Sequence, residues 1–359
     1  MERGPRRNRR PPREAHHRLA KLRANDRVPP PTDPLVSVVT PSFNQAEYLE
    51  TAIRSVLGQD YPRIEYLVID GGSRDGSLGI IERYSDRLAF WSSEPDRGQA
   101  EAINKGLRRA QGELVAWLNS DDVYLPGAIS EAVDAARRDP GAGMVYANGL
   151  MVDRSLRLLD PHRYRTLTSL DLLAFEVLLQ PTVFIRRAAL EAVGYLNEQY
   201  HLILDHELWL RISGRYRLAH VPRFWALERT HGEAKTISQA AEFVTEAHRL
   251  VAWAANSAEF GELVRRRRRR IQAGLNVFSA RRLIDAGQPR KALSHLMRGM
   301  VLHPPTVARY WYKVVQALFS AIGLEPAFGW YRTTRRRLRF GYRKVDLPHL
   351  EWTDHSSAS

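Results

Sequence analysis

Hydrophobic and polar positions along the chain fall into a repeated order of short apolar run, polar turn and helical stripe. The first run, Leu35 to Thr40 (LVSVVT), is rich in β-branched residues and predicts a strand that ends at Pro41. The next segment places apolar residues at the i, i+3, i+4, i+7 and i+8 spacing that is typical of one buried helix face. These residues are Leu49, Ala52, Ile53, Val56 and Leu57.

The same order of strand, polar turn and helix recurs further along the chain. Ile64 to Ile69 predicts a second strand that ends at Asp70, and the glycine-rich loop 71–76 follows it. Phe90 to Ser92 predicts a third strand before a helix over Ala100 to Ala110. This alternation implies an α/β fold with a mostly parallel sheet, right-handed crossovers and flanking helices. In such a sheet the strand ends lie along one edge, where ligands bind.

The most informative strand end lies in the stretch 112–126, GELVAWLNSDDVYLP. The apolar run Leu114 to Leu118 predicts a buried strand, and four small polar or acidic residues follow it. Carboxylates at this edge are well placed to hold a cation and a phosphorylated ligand. The alternative is that Asp121 and Asp122 only cap a helix that begins near Pro126.

The alternation continues as far as His231 and then changes to helices only, past about residue 236. We therefore expect a domain at 35–236, a helical extension at 237–304, an amphipathic and basic segment at 305–345, and a tail at 346–359. The remaining predicted elements of the domain are a strand at Met144 to Tyr146, a polar loop at 153–168 that covers the sheet edge, a strand from Gln180 that enters a helix at Arg187, a helical stripe from Leu204 to Ile212, and two short strands at 217–221 and 224–229.

The net charge of +14 in 359 residues is unevenly distributed. Segments 1–27, 265–270 and 332–344 together hold more positive charge than the whole chain, so the remainder is net acidic. Residues 1–34, rich in Arg and Pro, predict a disordered basic arm. The basic charge thus flanks the predicted domain, which does not itself require a polyanionic partner.

Composition also limits the classes of protein to consider. A hydrophobic content of 44% is enough for a substantial core, and the lack of cysteine excludes disulfides and thiolate metal sites. No apolar segment follows the amino-terminal arginines as in a secretory signal, and no apolar run approaches the length of a membrane span. We expect a cytoplasmic protein that is soluble or bound peripherally to the inner face of the membrane.

Four motifs, in this order, resemble a family-2 glycosyltransferase with the GT-A fold: VSVVTPSFNQ, EYLVIDGGSRDGS, NKGLRRAQGELVAWLNSDD and LDHELWLR. The resemblance runs from about Leu35 to His231. It implies inverting transfer of a sugar from a nucleoside-diphosphate sugar to a hydroxyl acceptor, with a divalent cation, Mg²⁺ or Mn²⁺. A glycan or lipid-linked acceptor and a role in cell-surface glycan or polysaccharide assembly are also implied.

The resemblance assigns donor contacts to the strand ends. Asp70 matches the acid that accepts a hydrogen bond from the nucleobase, and the alternative is that it caps the following turn. Asn119 replaces the first Asp of the family's DxD motif, so it can bind a ribose hydroxyl but brings no charge. The other implied donor-side residues are Pro41, Phe43, Asn44, Gln99, Asn104, Lys105 and Ser120, and Lys105 is also consistent with a solvated helix position.

The metal and the acceptor side are assigned in the same way. Metal ligation rests on Asp121, with Asp122 and His231 as further candidates, whereas Gln180 and Pro181 match the segment that shapes the acceptor side. The LDHE motif places Asp205 as the general base that takes the proton of the acceptor hydroxyl.

The assignment of Asp205 leaves alternatives open. Glu207 lies two residues further along the predicted helix and faces another direction, and Leu204 replaces the glutamate that the family usually carries. A helix start favours the ionised form of Asp205, so burial beside Trp209 has to compensate if the carboxylate is to be basic. An ordinary capping role for Asp205 is the remaining alternative.

Two other functions are consistent with parts of the chain. The arginine runs suggest nucleic-acid binding, but they match no recognition module and lack interleaved aromatic residues except near the carboxyl end. A catalytically impaired GT-A scaffold is suggested by Asn119 and Leu204. The stripe after residue 305 and the arginines that follow it predict a helix on an anionic membrane surface, or alternatively a helix packed on the domain or a partner. Those arginines are Arg332, Arg335, Arg336, Arg337 and Arg339.

Overall fold

A computed structural model describes residues 33–230, 239–341, 344, 345 and 347. The described residues from Leu35 onward form one compact unit. Most of the predicted arm at 1–34 and of the predicted tail at 346–359 lies outside the described residues, as does His231.

The described residues contain one nine-stranded sheet with the order β3-β2-β1-β4-β8-β6-β9-β5, and β7 pairs with β6 beside this path. The strands are β1 (Val36–Ser42), β2 (Ile64–Asp70), β3 (Phe90–Ser93), β4 (Leu114–Trp117), β5 (Val123–Tyr124), β6 (Ala142–Val152), β7 (Leu158–His162), β8 (Val183–Arg186) and β9 (Arg217–Arg229).

The first four strands pair in parallel, as their alternation with helices predicts. Ser42 at the end of β1 is level with Asp70 at the end of β2, so the two following loops start side by side. β8 enters antiparallel between β4 and β6, while the long pair of β6 and β9 is again parallel. The predicted α/β architecture with a mostly parallel sheet and flanking helices is confirmed.

Two local predictions were wrong. The segment 153–168, predicted to be a loop, contains β7, which pairs antiparallel with β6. β7 has only that one neighbour, and an edge strand tolerates Pro161 because one side of its backbone makes no ladder bonds. The two short strands predicted at 217–221 and 224–229 are one strand, β9, whose pairing with β6 shifts register along its length.

Helices cover both faces of the sheet and make up the extension. They are α1 (Ala46–Leu57), α2 (Ser77–Arg83), α3 (Gln99–Arg109), α4 (Ala128–Arg138), α5 (Ser169–Leu173), α6 (Arg187–Val193), α7 (Leu204–Arg215), α8 (Ala240–Asn256), α9 (Gly261–Asp285), α10 (Pro289–Leu302), α11 (Pro304–Ala308), α12 (Trp311–Ala321) and α13 (Glu325–Phe340).

Two hydrophobic cores lie on opposite faces of the sheet, because successive side chains of a strand point to opposite sides. In β1, Val39 belongs to one core, whereas Val36 and Val38 belong to the other. Helices α8 and α9 contribute Phe243 and Phe278 to the same core as Val39. The start of the extension therefore completes the core of the sheet domain.

A close backbone contact fixes α9 against the domain. A Cβ atom added to Gly274 in α9 would overlap the carbonyl group of Ala174, which follows α5. Only glycine permits this approach, because the atom on the other side is backbone and cannot move aside.

We expect Gly274→Ala to destabilise the protein by about 1–3 kcal/mol, since it overpacks the contact between α9 and the backbone at Ala174. Gly79→Ala is the matched control, because Gly79 lies inside α2 with open space around it. Alanine at position 79 should raise stability by about 0.5–1 kcal/mol. Urea unfolding of both variants measures the difference, and equal effects would contradict the packing described here.

Candidate active site at the strand ends

The loops after β1 and β2 hold one another through polar contacts. Asn44 adopts a left-handed backbone with φ of 51°, which asparagine tolerates better than most residues. Its backbone N–H donates to the Ser73 hydroxyl at 2.8 Å, and its side-chain oxygen accepts from the Arg74 N–H at 2.9 Å. Asp75 accepts from the Ala46 N–H at 2.8 Å and so caps α1. These two loops are therefore ordered by their own contacts.

Asp70 organises the glycine-rich loop in this structure. Its carboxylate is fully buried and accepts hydrogen bonds from the backbone N–H groups of Gly72 and Ser73, at 3.1 and 2.9 Å. The hydroxyls of Ser73 and Ser93 donate to it at 2.5 and 2.7 Å. Four donors use the usual acceptor capacity of a carboxylate. Contact between Asp70 and a nucleobase stays a prediction.

An exposed aromatic ring and a carboxylate meet beside Gly71. Phe43 is 59% exposed, although it follows the fully buried strand β1 that contains Pro41. A Cβ atom added to Gly71 would stand 2.6 Å from Asp96 Oδ2 and 3.2 Å from the Phe43 ring. The bare backbone of Gly71 thus lets the Asp96 carboxylate approach this ring. Sequence reasoning missed Asp96, whose only signal is its place after a strand end.

The polar residues after β4 are joined in one chain of hydrogen bonds. Gln99 at the start of α3 donates to Asn119 Oδ1 at 2.8 Å, and Asn119 donates to Asp122 Oδ2 at 3.2 Å. Asp122 also accepts from the Arg229 backbone N–H at 3.1 Å and is only 3% exposed. Asp122 therefore holds the turn, with Ser120 buried beside it, while Asp121 is partly exposed.

Asn104 and Lys105, which the resemblance assigns to the donor side, make contacts within the protein. The buried Asn104 amide bonds both backbone groups of Leu196, donating at 2.9 Å and accepting at 3.0 Å. Lys105 Nζ lies 3.2 Å from Glu94 and 3.6 Å from Glu101. Their roles toward a donor stay predictions.

Four acidic side chains from three parts of the chain act on one another electrostatically. Burial, followed by the charges of Asp121 and Asp205, raises the pKa of Glu228 to about 7. Burial and the charges of Asp121 and Glu228 also raise the pKa of Asp122 well above its usual range. Such coupling requires that the end of β4, the end of β9 and the start of α7 lie close together.

Glu228 is a site residue that sequence reasoning missed. It stands near the carboxyl end of β9, and this position at a strand end is the signal that could have found it. Arg229 beside it donates to the Asp121 carbonyl at 2.9 Å and lies 4.7 Å from the centre of the Tyr48 ring. Arg229 thereby fixes the turn that carries Asp121.

The acidic site fits a divalent cation that is held partly by its substrate. Within the described ranges, no group of three or more Asp, Glu, His or Cys side chains is placed to hold a metal by itself. Mg²⁺ is commonly bound by one or two carboxylates together with substrate phosphates. Asp121 and Glu228 supply such a pair, and a cation would relieve the repulsion that raises the pKa of Glu228.

Asp205 lies in the first turn of α7, and a helix of the extension fixes that turn. Burial raises the pKa of Asp205 to about 6, which outweighs the hydrogen bond from the His206 N–H and the charge of Arg282. Glu246 of α8 accepts from the three backbone N–H groups that precede α7, at 2.8, 3.0 and 3.2 Å. Asp205 is thus ionised at neutral pH yet more basic than an ordinary aspartate.

A stacked pair of tryptophans connects Asp205 to the strand ends. The rings of Trp117 in β4 and Trp209 in α7 are 5.1 Å apart. Gln180, with Pro181 buried next to it, donates to the Trp117 carbonyl at 2.8 Å. Gln180 Oε1 and Trp209 Nε1 are buried and have no protein hydrogen-bond partner in the described part of the chain. These atoms are suited to bind hydroxyl groups of a ligand.

Glu207, the alternative base, has a structural role here. Both of its oxygens accept from Arg211 at 2.9 Å, and the pair is almost wholly buried. Arg211 also donates to the carbonyls of Val193 and Gly194 at 2.6 and 2.9 Å. Glu207 therefore faces the end of α6 rather than the acidic site.

Relatives with known sequences match about half of the chain. An uncharacterised glycosyltransferase of Rickettsia typhi is 30% identical over 194 residues, which cover 51% of this chain and 61% of that protein. One of Rickettsia conorii is 31% identical over 195 residues, 50% of this chain and 31% of that protein. One of Mycobacterium tuberculosis is 31% identical over 186 residues, 50% of this chain and 69% of that protein. The chain thus spans less than two thirds of the first two relatives.

Solved structures match most of the chain. Staphylococcus aureus TarS 1-349 in complex with UDP-GlcNAc superposes with a TM-score of 0.53 at 20% identity, covering 86% of this chain and 92% of the TarS 1-349 chain. Mannosyltransferase PcManGT from Pyrobaculum calidifontis, in complex with GDP-Man and Mn²⁺, gives 0.55 at 22% identity, covering 87% and 93%. At these identities the likeness shows the fold, so the predicted GT-A fold is confirmed.

The family model for glycosyl transferase family 2 matches residues 37–194, which hold the strand ends from β1 to β4 and Gln180, the residue that the resemblance assigns to the acceptor side. This match and the glycosyltransferase relatives agree with the resemblance that the four motifs carry. The chain belongs to glycosyltransferase family 2.

Proposed function

We propose that this protein transfers a sugar, with inversion, from a nucleoside-diphosphate sugar to a hydroxyl acceptor. The observation that carries the proposal is that the end of β4 meets the start of α7, where the rings of Trp117 and Trp209 stack and the charges of Asp121 and Asp205 both act on Glu228. A glycan or lipid-linked acceptor in cell-surface polysaccharide assembly fits this reaction. One relative, 44% identical over 94 residues, is a putative teichuronic acid biosynthesis glycosyltransferase of Bacillus subtilis.

The donor nucleotide is proposed to lie across the loops after β1, β2 and β3. The exposed Phe43 ring offers a face on which a nucleobase stacks, and the Asp96 carboxylate beside it accepts from base N–H groups. Asp70 supports this surface by fixing the glycine-rich loop. The complexes of TarS with UDP-GlcNAc and of PcManGT with GDP-Man support a nucleotide-sugar donor.

Asp121 and Glu228 are proposed to hold a divalent cation, and the PcManGT complex with Mn²⁺ supports this choice. When bound, such a cation offsets the negative charge that grows on the departing nucleoside diphosphate. Asp122 and Asn119 keep the turn in shape through their hydrogen bonds. A ligand role for His231 stays a prediction outside the described residues.

Asp205 is proposed to be the general base. Its carboxylate takes the proton of the acceptor hydroxyl while the oxygen forms a bond to the anomeric carbon and the bond to the diphosphate breaks on the opposite face. With a pKa of about 6, Asp205 is ionised at neutral pH but binds a proton more tightly than an ordinary aspartate with a pKa of 3.8. Gln180 Oε1 and Trp209 Nε1 orient acceptor hydroxyls beside it.

Asp205→Asn should lower the transfer rate by about 10²–10⁴-fold and leave donor binding intact, because only proton removal is lost. It should also raise stability at pH 8. The folded pKa of about 6 exceeds the unfolded value of 3.8, so ionised Asp205 destabilises the fold above pH 6. Below about pH 3.8 Asp205 is protonated in both the folded and the unfolded state, so it no longer destabilises the fold. The higher free energy of unfolding of Asp205→Asn should therefore disappear at that pH.

Transfer assays, donor titrations and urea unfolding at pH 8 and pH 3.5 measure these effects. Asp134→Asn, an exposed position on α4, is the matched control and should change none of them. Full transfer activity in Asp205→Asn would show that Asp205 is not the general base. No transfer or donor hydrolysis by the unmodified protein with any nucleotide sugar would favour the impaired scaffold instead.

Asp121→Asn should weaken donor binding in the presence of Mn²⁺ at least about tenfold, because it removes a carboxylate from the cation. In EDTA the variant and the unmodified protein should bind the donor equally. Calorimetric titration with UDP and GDP sugars measures the donor affinity with Mn²⁺ and in EDTA, and Asp134→Asn is again the control. An equal loss of affinity with and without Mn²⁺ would speak against a metal at Asp121.

We also propose that the enzyme works at an anionic membrane surface. Apart from Phe43, Leu78 and Trp253, every exposed large hydrophobic side chain of the described residues lies between Met297 and Leu338. This apolar surface lies on α10, α12 and α13, and the exposed Arg335 accompanies it. Among the described residues, no helix is both long and apolar enough to cross a bilayer. Exposed tryptophans with arginines suit binding in the plane of a charged membrane.

Replacing Trp311 and Trp330 by Ser should reduce flotation with vesicles of phosphatidylglycerol and phosphatidylcholine at least about tenfold, since each ring contributes apolar burial in the lipid interface. These rings are 64% and 71% exposed. Trp253→Ser, outside the apolar surface, is the control and should float normally. Unchanged flotation of the double variant would contradict membrane binding through this surface.

A further inference from the structure

A cavity of about 700 Å³ lies beside α9, away from the strand ends. Its walls come from α9, from the turn after α5, and from the chain around α11. The feature that sets it apart is its charge, because the whole run Arg265 to Arg270 lines it, together with Arg281 and Arg309. The proposed transfer reaction makes no use of this run.

A kink explains how six consecutive arginines reach one cavity. In a straight helix neighbouring side chains point about 100° apart and cannot share one wall. The backbone of α9 departs from helical geometry at Arg267, with φ of −112° and ψ of 18°. The kink therefore gathers side chains that a regular helix would distribute around its circumference.

The cavity holds more positive charge than its carboxylates neutralise. Glu262 pairs with Arg265 and Arg266 at 2.6 and 2.5 Å. Asp171 pairs with Arg270 at 2.5 Å, and Glu176 with Arg309 at 2.7 Å. Within the described ranges, the remaining arginines of the cavity have no carboxylate partner: Arg267, Arg268, Arg269 and Arg281.

The position of the cavity connects two parts of the proposed function. Phe175 in its wall stacks on His206 at 5.0 Å, and His206 is the neighbour of the proposed base Asp205. Tyr310 in its wall directly precedes Trp311, where the apolar surface on α12 begins. The wall of the cavity thus includes residues next to the exposed apolar side chains of α12 and a ring that contacts the start of α7.

We propose that this cavity binds the phosphate or diphosphate group of an amphiphilic phosphate ester. Guanidinium groups bind phosphate oxygens through paired hydrogen bonds, and the aromatic wall of Phe175, Phe278 and Tyr310 suits the apolar or sugar part that the phosphate carries. That the ester is the acceptor rests on the proposed function, whereas the phosphate site itself does not. A bulk phospholipid headgroup and a lipid diphosphate present the same chemistry.

The test measures binding of inorganic pyrophosphate by calorimetry in EDTA, which suppresses metal-bridged binding at the donor site. Arg267→Gln with Arg268→Gln and Arg269→Gln should weaken binding at least about tenfold, because three uncompensated charges are lost. The control removes three exposed arginines of the sheet domain, Arg83→Gln with Arg87→Gln and Arg223→Gln, and should bind as the unmodified protein does.

Arg281→Gln serves as a second variant, because it lies on another stretch of α9 and leaves the kink untouched. It should weaken pyrophosphate binding in the same direction, and urea unfolding of each variant shows that the fold is retained. Equal weakening in the control triple, or unchanged binding in both cavity variants, would overturn the proposal.

Two further measurements identify the source of the phosphate. If a lipid diphosphate is the ligand, farnesyl diphosphate should bind more tightly than pyrophosphate and lose affinity in the cavity triple, while flotation with phosphatidylglycerol vesicles stays unchanged. If phospholipid headgroups are the ligand, flotation of the cavity triple should fall. Donor hydrolysis is assayed separately and tests only the proposed sugar transfer. If the protein binds pyrophosphate in the cavity but hydrolyses no donor, the phosphate site is supported and the proposed transferase function is refuted.

Discussion

Repulsion among the carboxylates at the ends of β4 and β9 and the start of α7 is the constraint that the surrounding structure has to satisfy. Asp121, Glu228 and Asp205 come from three elements, and burial, followed by the charges of Asp121 and Asp205, raises the pKa of Glu228. Left alone, such a cluster opposes folding, so the surrounding contacts have to hold it together. Arg229 fixes the turn of Asp121, the stacked tryptophans join β4 to α7, and Glu246 caps the start of α7.

The helical extension takes part in this arrangement. α8 supplies Glu246, and α9 supplies Arg282, whose charge lowers the proton affinity of both Asp205 and Glu228. Burial lowers the pKa of Arg282 itself to about 10. Because α9 packs directly on the backbone of Ala174 at Gly274, the extension is held in a fixed position against the domain that carries the acidic site. The helices that carry the exposed apolar side chains thereby belong to the same packed unit as the proposed base.

Local sequence patterns predicted the alternating strands and helices, and with them the strand ends that Asp70 and Asp121 follow, because these depend on periodicity along the chain. Asp205 in the first turn of α7 was assigned by the resemblance of its motif instead. Local patterns did not predict β7 or the continuity of β9, since an edge strand with proline and a register shift weaken the local signal. Nor did they distinguish ligand contacts from internal ones at Asp70 and Asn104, whose partners are set by loop geometry and distant backbone. Glu228, Glu246 and Arg282 act across the fold, so no short motif identifies them.

Titration of the carboxyl groups by ¹³C NMR tests the central claim most directly. We expect Glu228 to titrate at a pH of about 7 and Asp205 at about 6, and we expect the Glu228 midpoint to fall when Asp121 is replaced by Asn. Ordinary midpoints of about 4 for both groups, with no response to Asp121→Asn, would contradict the convergence of these carboxylates in one site.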